Sequence, residues 1–357
     1  MRRACKVTLK FATAAKLRKV AALLESYRAA VNFYIRSLWV DFGRLDKDTL
    51  ARLQHTRLSE RYKSAALKQA LETVISTKKA SKAIGKAASV PVFTGAATLD
   101  AKFVAVKEAD GQFDLAILLS VLKKGKRLWL PTKATAVLRK WLSIPGAKII
   151  DGGALSENSI VIWVDVPDAP EKTKGRVFAV DIGANKMLSD SDGFHHGTEF
   201  KGLRDKIGRK KKGSAAKQRA IQERDNYINF TVKRLPWDNI KTIGVEDLKN
   251  VKKGKQKKRS KAFRKAMAPW TYGSVLTKLE QCAQENGVRL VRVPAAYTSQ
   301  TCPTCGTVSK KNRCGEKFKC VFCGRSGDSD RIAALNILAR TQTILGSVES
   351  PRLQRTM

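Results

Sequence analysis

The sequence predicts a mixed α+β chain built from several units. Three observations predict it. Apolar periodicity is helical over residues 13–86, alternating over 88–167, and from 176 onward takes the form of short strands separated by helices. One of those later strands is apolar on both faces until Asp181, and a second ends in Glu246 and Asp247. Two Cys-x-x-Cys pairs, Cys302/Cys305 and Cys320/Cys323, are each followed by Gly. A length of 357 residues allows two to four compact units.

In chain order, residues 5–11 alternate and predict a strand. Over 13–42, Leu17, Val20, Ala21, Leu24, Val31, Tyr34, Ile35 and Leu38 form the stripe of an amphipathic helix. More helix follows over 49–86, where lysines such as Lys63, Lys68, Lys78 and Lys82 can offer one face to phosphate. Over 88–167 the texture is β. The runs 104–106 and 113–117 flank Asp110-Gly111, a hairpin signal, and 127–130, 148–150 and 160–164 add strands. Residues 135–142 predict a short helix. A small barrel completed by the first strand is the expected arrangement, with 168–175 as a linker.

The second half opens on the buried strand 176–183 that carries Asp181. A long basic helical region over 201–235 and the strand 241–248 follow. Residues 252–261 are a Lys- and Gly-rich loop, expected to be mobile without a partner. Pro269-Trp270 opens a helix to about 286, and the strand 288–293 leads into Tyr297. The last helix starts at Asp328-Ser329, either of which can cap it, and runs to Arg340. Asp330, Ala333, Ala334 and Ile337 share one face of it. A carboxylate aimed at a core is costly unless paired or metal-bound; the alternative is a first-turn acid facing the helix dipole.

Lys and Arg number 70 against 31 Asp and Glu, a formal charge of +39. That excess implies a polyanionic partner, most simply nucleic acid. The candidate contacts are Arg204, Arg209, Lys210, Lys211, Lys212, Lys252 and Lys253. No long apolar run suggests a membrane span, the start leads into no signal-peptide core, and no feature points to a small-molecule substrate. Five of seven cysteines lie within 302–323, while Cys5 and Cys282 are isolated, so a reducing cytoplasm is expected rather than a disulfide framework. Cys302, Cys305, Cys320 and Cys323 suit a tetrahedral Zn²⁺, with disulfides as the alternative and Cys314 as a spare thiol. Asp181, Glu246 and Asp330 are the candidate catalytic acids. Separated acids of this kind can converge on two Mg²⁺ ions that hydrolyse a phosphodiester. His55, His195 and His196 are expected at the surface, the last two in a turn.

The segments Val180-Asp181-Ile182-Gly183, Val245-Glu246-Asp247-Leu248, 297–306 and 330–337 resemble the RuvC motifs and zinc ribbon of the TnpB (OrfB) nucleases of insertion sequences, which are related to compact type V CRISPR effectors. The resemblance is close over 176–340; before that it rests on the order of elements. It implies a wedge-like β-barrel over 1–13 and 88–170 with a helical recognition lobe, 14–87, inserted into it. It further implies an RNase H-like (RuvC) α/β nuclease domain over 175–300 and 325–342, a zinc ribbon over 301–324, and a tail over 343–357. Asp181, Glu246 and Asp330 occupy the family's catalytic positions. The implied activity is RNA-guided, Mg²⁺-dependent cleavage of target DNA that matches a bound guide RNA beside a short adjacent motif. The alternatives are an RNA-guided repressor with little or no cleavage and an RNA-independent transposase. The chain departs from the family at Ile332, where an Asn is usual.

Overall fold

The computed structural model describes residues 1–40, 58–84, 87–109, 111–122, 125–211, 213–248 and 271–346. The chain divides into two compact units, Met1–Pro167 and Asp168–Met357.

The first unit starts with strand β1 (Arg2–Thr8). The strand ends where Ala12 N turns back to Leu9 O, and Thr13 Oγ1 then accepts from Lys16 N at the start of helix α1 (Ala14–Val40). Helix α2 (Glu60–Ile84) packs against α1. Of the predicted α1 stripe, Val20, Leu24, Val31, Tyr34, Ile35 and Leu38 are buried, joined by Tyr27, while Leu17 is half-buried and Ala21 is exposed. Strands β2 (Ala97–Asp100), β3 (Val104–Glu108), β4 (Leu115–Ser120) and β5 (Arg127–Thr132) follow, then helix α3 (Ala136–Leu142), β6 (Lys148–Leu155) and β7 (Ser159–Asp165). They form two antiparallel sheets, ordered β1-β7-β6-β2 and β3-β4-β5. The first strand therefore closes the four-stranded sheet against β7, and both sheets share one apolar core with the helix pair.

The second unit is built on a five-stranded sheet. Its strands are β8 (Arg176–Ile182), β9 (Leu188–Asp190), β10 (His195–His196), β11 (Ile240–Asp247) and β12 (Arg289–Pro294), in the order β10-β9-β8-β11-β12. Strands β8, β11 and β12 are parallel; β9 runs antiparallel to β8, and β10 antiparallel to β9 and so in the direction of β8. Between β10 and β11 the basic region is two helices, α4 (Phe200–Arg209) and α5 (Ala215–Lys233), rather than one continuous run. The break comes because the Ser214 side chain accepts from Lys217 N and caps a new helix. Helix α6 (Tyr272–Glu285) precedes β12. A small antiparallel sheet of β13 (Arg313–Cys314), β14 (Lys317–Lys319) and β15 (Ser326–Asp328) leads into helix α7 (Ser329–Ile344).

Side-chain alternation sorts the main sheet into two faces. Phe178, Val180 and Ile182 of β8, with Ile243 and Val245 of β11, pack with residues of α5 and α6. Ala179 of β8 and Val291 and Val293 of β12 pack with Ile337 of α7. By the same alternation, Asp181 and Glu246 belong to the α7 face. Gly244 lies on that face too. A Cβ there would stand 2.0 Å from Thr341 Oγ1 and 3.1 Å from Thr341 Cβ. Thr341 is buried and its hydroxyl donates to Ile337 O at 2.7 Å, so it has little room to yield. Gly244→Ala is therefore expected to lift α7 from the sheet and cost about 1–3 kcal/mol. A melting curve of the variant that matches the parent would refute this.

Candidate functional site

The site is set by register. Val245 of β11 pairs with Val180 of β8, so Glu246 and Asp181, one residue on, stand side by side at the same end of adjacent parallel strands. Helix α7 packs on β8, with Ala333, Ala334 and Ile337 buried. Asp330 shares that stripe and is 9% exposed, against 8% for Glu246. All three sequence-predicted acids thus meet at one end of the two central strands. Burial, then repulsion from Glu246 and Asp330, holds the Asp181 carboxyl well above its ordinary value. Burial raises Glu246 as well, opposed in part by a hydrogen bond from Thr298. Asp330 is raised by burial and by the neighbouring Asp328.

A cation answers all three acids from an unexpected quarter. Arg313, on β13, places Nη2 3.5 Å from Asp330 Oδ1. Nothing in the sequence singles it out; the pairing of β13 with β14 and of β14 with β15 folds it back on the start of α7. Arg340 acts on Glu246 and Lys186 on Asp330 as well, yet all three carboxyls stay raised, and crowded hard oxygen donors of this kind suit Mg²⁺.

The surroundings hold the acids in place. Asp328 is the cap of α7: its Oδ1 accepts from Asp330 N at 2.9 Å and Arg331 N at 3.1 Å. Its Oδ2 pairs with Lys186 at 2.6 Å. The histidines differ from expectation. His195 and His196 lie in β10, half-buried, because each has a partner: Ser189 Oγ is 2.8 Å from His195 Nδ1, and Asp190 Oδ2 is 2.7 Å from His196 Nε2. His55 lies outside the described residues. Ile332 is 2% exposed and packs with Cys302, Phe318 and Cys320. Two residues from Asp330, it falls on another side of α7, where an apolar side chain anchors the helix to the cysteine module.

Cys302, Cys305, Cys320 and Cys323 converge, with Sγ–Sγ distances of 3.5 Å (302–323) and 3.6 Å (305–320). A tetrahedral ion with Zn–S near 2.3 Å needs sulfur–sulfur edges of about 3.8 Å, so the thiols fit one with little adjustment. Phe322 N and Cys323 N point at Cys320 Sγ, at 3.4 and 3.5 Å. Thr307 Oγ1, 3.3 Å from Cys305 Sγ, holds that thiol down to about 6, which favours the thiolate. Buried Asn312 ties the two cysteine loops together, donating to Gln300 O and Thr307 O and accepting from Val321 N. Cys314 is exposed and outside the cluster.

The basic candidates divide. Arg209, Lys210 and Lys211 are exposed at the end of α4. Arg204 is corrected: it is 5% exposed, and its guanidinium donates to Ala184 O, bracing the loop after β8 rather than facing phosphate. Lys212, Lys252 and Lys253 lie outside the described residues. Among the described residues no helix is long and apolar enough to cross a membrane.

Comparison with known proteins adds an independent view. Residues 272–337 match the Cas12f1-like TNB domain family. The chain is 31% identical over 112 residues to the CRISPR-associated endodeoxyribonuclease Cas12f1 of Sulfoacidibacillus thermotolerans, covering 31% of this chain and 25% of that protein. It is 28% identical over 166 residues to a TnpB-like protein of Methanocaldococcus jannaschii, covering 43% and 58%. It is 39% identical over 64 residues to InsQ of Escherichia coli, a protein named as an RNA-guided DNA endonuclease, covering 18% and 16%. Each match spans less than two thirds of the relative's own length. The matched domain and these relatives point the same way: the chain is similar to TnpB-like proteins and to the type V effector Cas12f1.

Proposed function

We propose that the chain is an RNA-guided, Mg²⁺-dependent DNA endonuclease with a RuvC-type site formed by Asp181, Glu246 and Asp330. The observation that carries this reading is the meeting of those three carboxylates at one end of adjacent parallel strands and the start of α7. The strand order, with one reversed strand, β9, in an otherwise co-directional five-stranded sheet, supports an RNase H-like domain over 175–300 and 325–342. The converging cysteines support a zinc ribbon over 301–324. The two sheets and the helix pair of the first unit support a wedge-like barrel with an inserted recognition lobe.

Bound Mg²⁺ would supply an activated water and charge stabilisation at the leaving oxygen. The chain's own residues do the rest. Asp181, Glu246 and Asp330 offer recessed hard donors. Arg313, exposed enough to meet a phosphate, neutralises charge beside Asp330. The net charge of +39 holds the nucleic acid strands, and pairing with the guide RNA reads the DNA sequence while the protein reads a short duplex motif.

The test is to give RNA-free protein duplex DNA and Mg²⁺, with and without a matching guide. Cleavage only of the matched target is expected. RNA-dependent binding without cleavage would replace the nuclease by a repressor. Cleavage that ignores the guide would favour the transposase.

A further inference from the structure

The loop joining β12 to the first cysteine pair has a part in the acid site that its sequence does not advertise. Thr298 is 4% exposed, and its hydroxyl donates to Glu246 Oε1. The loop is clamped from α7, the helix that carries Asp330. Asn336 Nδ2 donates to Thr298 O at 2.7 Å and to Thr301 O at 2.8 Å. Arg340 donates to Pro294 O and, at 2.8 Å, to Ala296 O. Tyr297, next to Thr298, is the one non-glycine residue with positive φ (62°) among the described residues. Its ring is 51% exposed, so packing of the side chain does not account for the strained backbone. What the turn achieves is local: Tyr297 O collects Gln300 N, Thr301 N and Thr301 Oγ1, each within 2.9 Å, and Thr298 is turned inward beneath them.

We propose that Thr298 is a positioning residue for the metal site: its hydroxyl engages Oε1 of Glu246 and leaves Oε2 to a divalent cation. This rests on the reading of the three acids as that site. Helix α7 then sets two acids at once, Asp330 directly and Glu246 through Asn336 and Thr298. A carboxylate that binds a metal is usually steered by such a neighbour, and loss of the neighbour typically weakens the metal 10–100-fold. The threonine's ordinary alternative is to satisfy a buried acid and pack the loop, with no consequence for metal.

The deciding measurement is Mn²⁺ binding, followed by electron paramagnetic resonance, on the full chain freed of nucleic acid, with Asp181→Asn as the blank. Thr298→Val is expected to weaken the Asp181-dependent binding roughly 10–100-fold at unchanged zinc content, and Thr298→Ser to restore it. Thr298→Ala serves if the valine variant does not fold. Wild-type affinity in Thr298→Val or Thr298→Ala, or a serine variant as weak as they are, would overturn the role of the hydroxyl alone. Absence of any Asp181-dependent Mn²⁺ binding in the parent would instead remove the metal site on which the role rests.

Discussion

Asp181→Asn is expected to reduce DNA cleavage to background and, in metal-free protein, to raise the melting temperature. The two effects have one cause. Asp181 is held well above the ordinary carboxylate range by burial and by Glu246 and Asp330. The folded chain therefore holds protons that the unfolded chain releases. Stability from this source is full below about pH 4 and is lost as pH rises through the raised values. Above the raised values the metal-free site is a set of like charges pressed together, a local cost kept for function. Asparagine removes one of those charges along with the ligand. A gain of ~1 kcal/mol in a unit of this size raises the melting temperature by about 2–4 °C. As pH rises through the raised values the parent should destabilise without metal and recover with Mg²⁺, whereas the variant should be flatter in pH and less responsive to Mg²⁺. Equal pH and Mg²⁺ responses in the two proteins would show that Asp181 is not part of a charged metal site, and near-normal cleavage would remove it from catalysis.

The second large effect is expected at the cysteine cluster. Cys320→Ser should abolish zinc binding, open residues 301–328 to proteolysis and abolish cleavage. The module's apolar core consists of Cys302, Phe318, Cys320 and Ile332 with Cys305 against it, too little to fold on burial alone. In comparable small modules, bound zinc supplies on the order of 10 kcal/mol of folding free energy. Loss of the fold would reach the acids by two routes: β13 carries Arg313, and β15 ends in Asp328, the cap of α7. Cys314→Ser should change nothing, since that thiol is outside the cluster. Protein purified without chelator that contains no zinc, or a Cys314→Ser variant that loses it, would defeat this assignment.

Much of the site was legible in the linear sequence because its chemistry contradicts its surroundings. An acid that ends an apolar strand, an acid on the apolar stripe of a helix, and paired cysteines in glycine turns each stand out from the local pattern, so Asp181, Glu246, Asp330 and the four clustered cysteines could be named one by one. The same local patterns predicted the α1 stripe and the short helix at 135–142.

Other features were decided only by tertiary structure. Arg313 gains its place through the pairing of three short strands, and Thr298 through a turn pinned by Asn336 and Arg340 of a later helix. Gly244 matters because Thr341 lies above it. Arg204 reads as one more basic residue until α4 turns it toward Ala184 O, and Ile332 reads as a gap in a motif until it is seen against the cysteines. The physical reason is common to all five. Periodicity and residue type report what a side chain requires of its environment, whereas these roles depend on which partner stands opposite, and that is set by contacts between residues far apart in the chain.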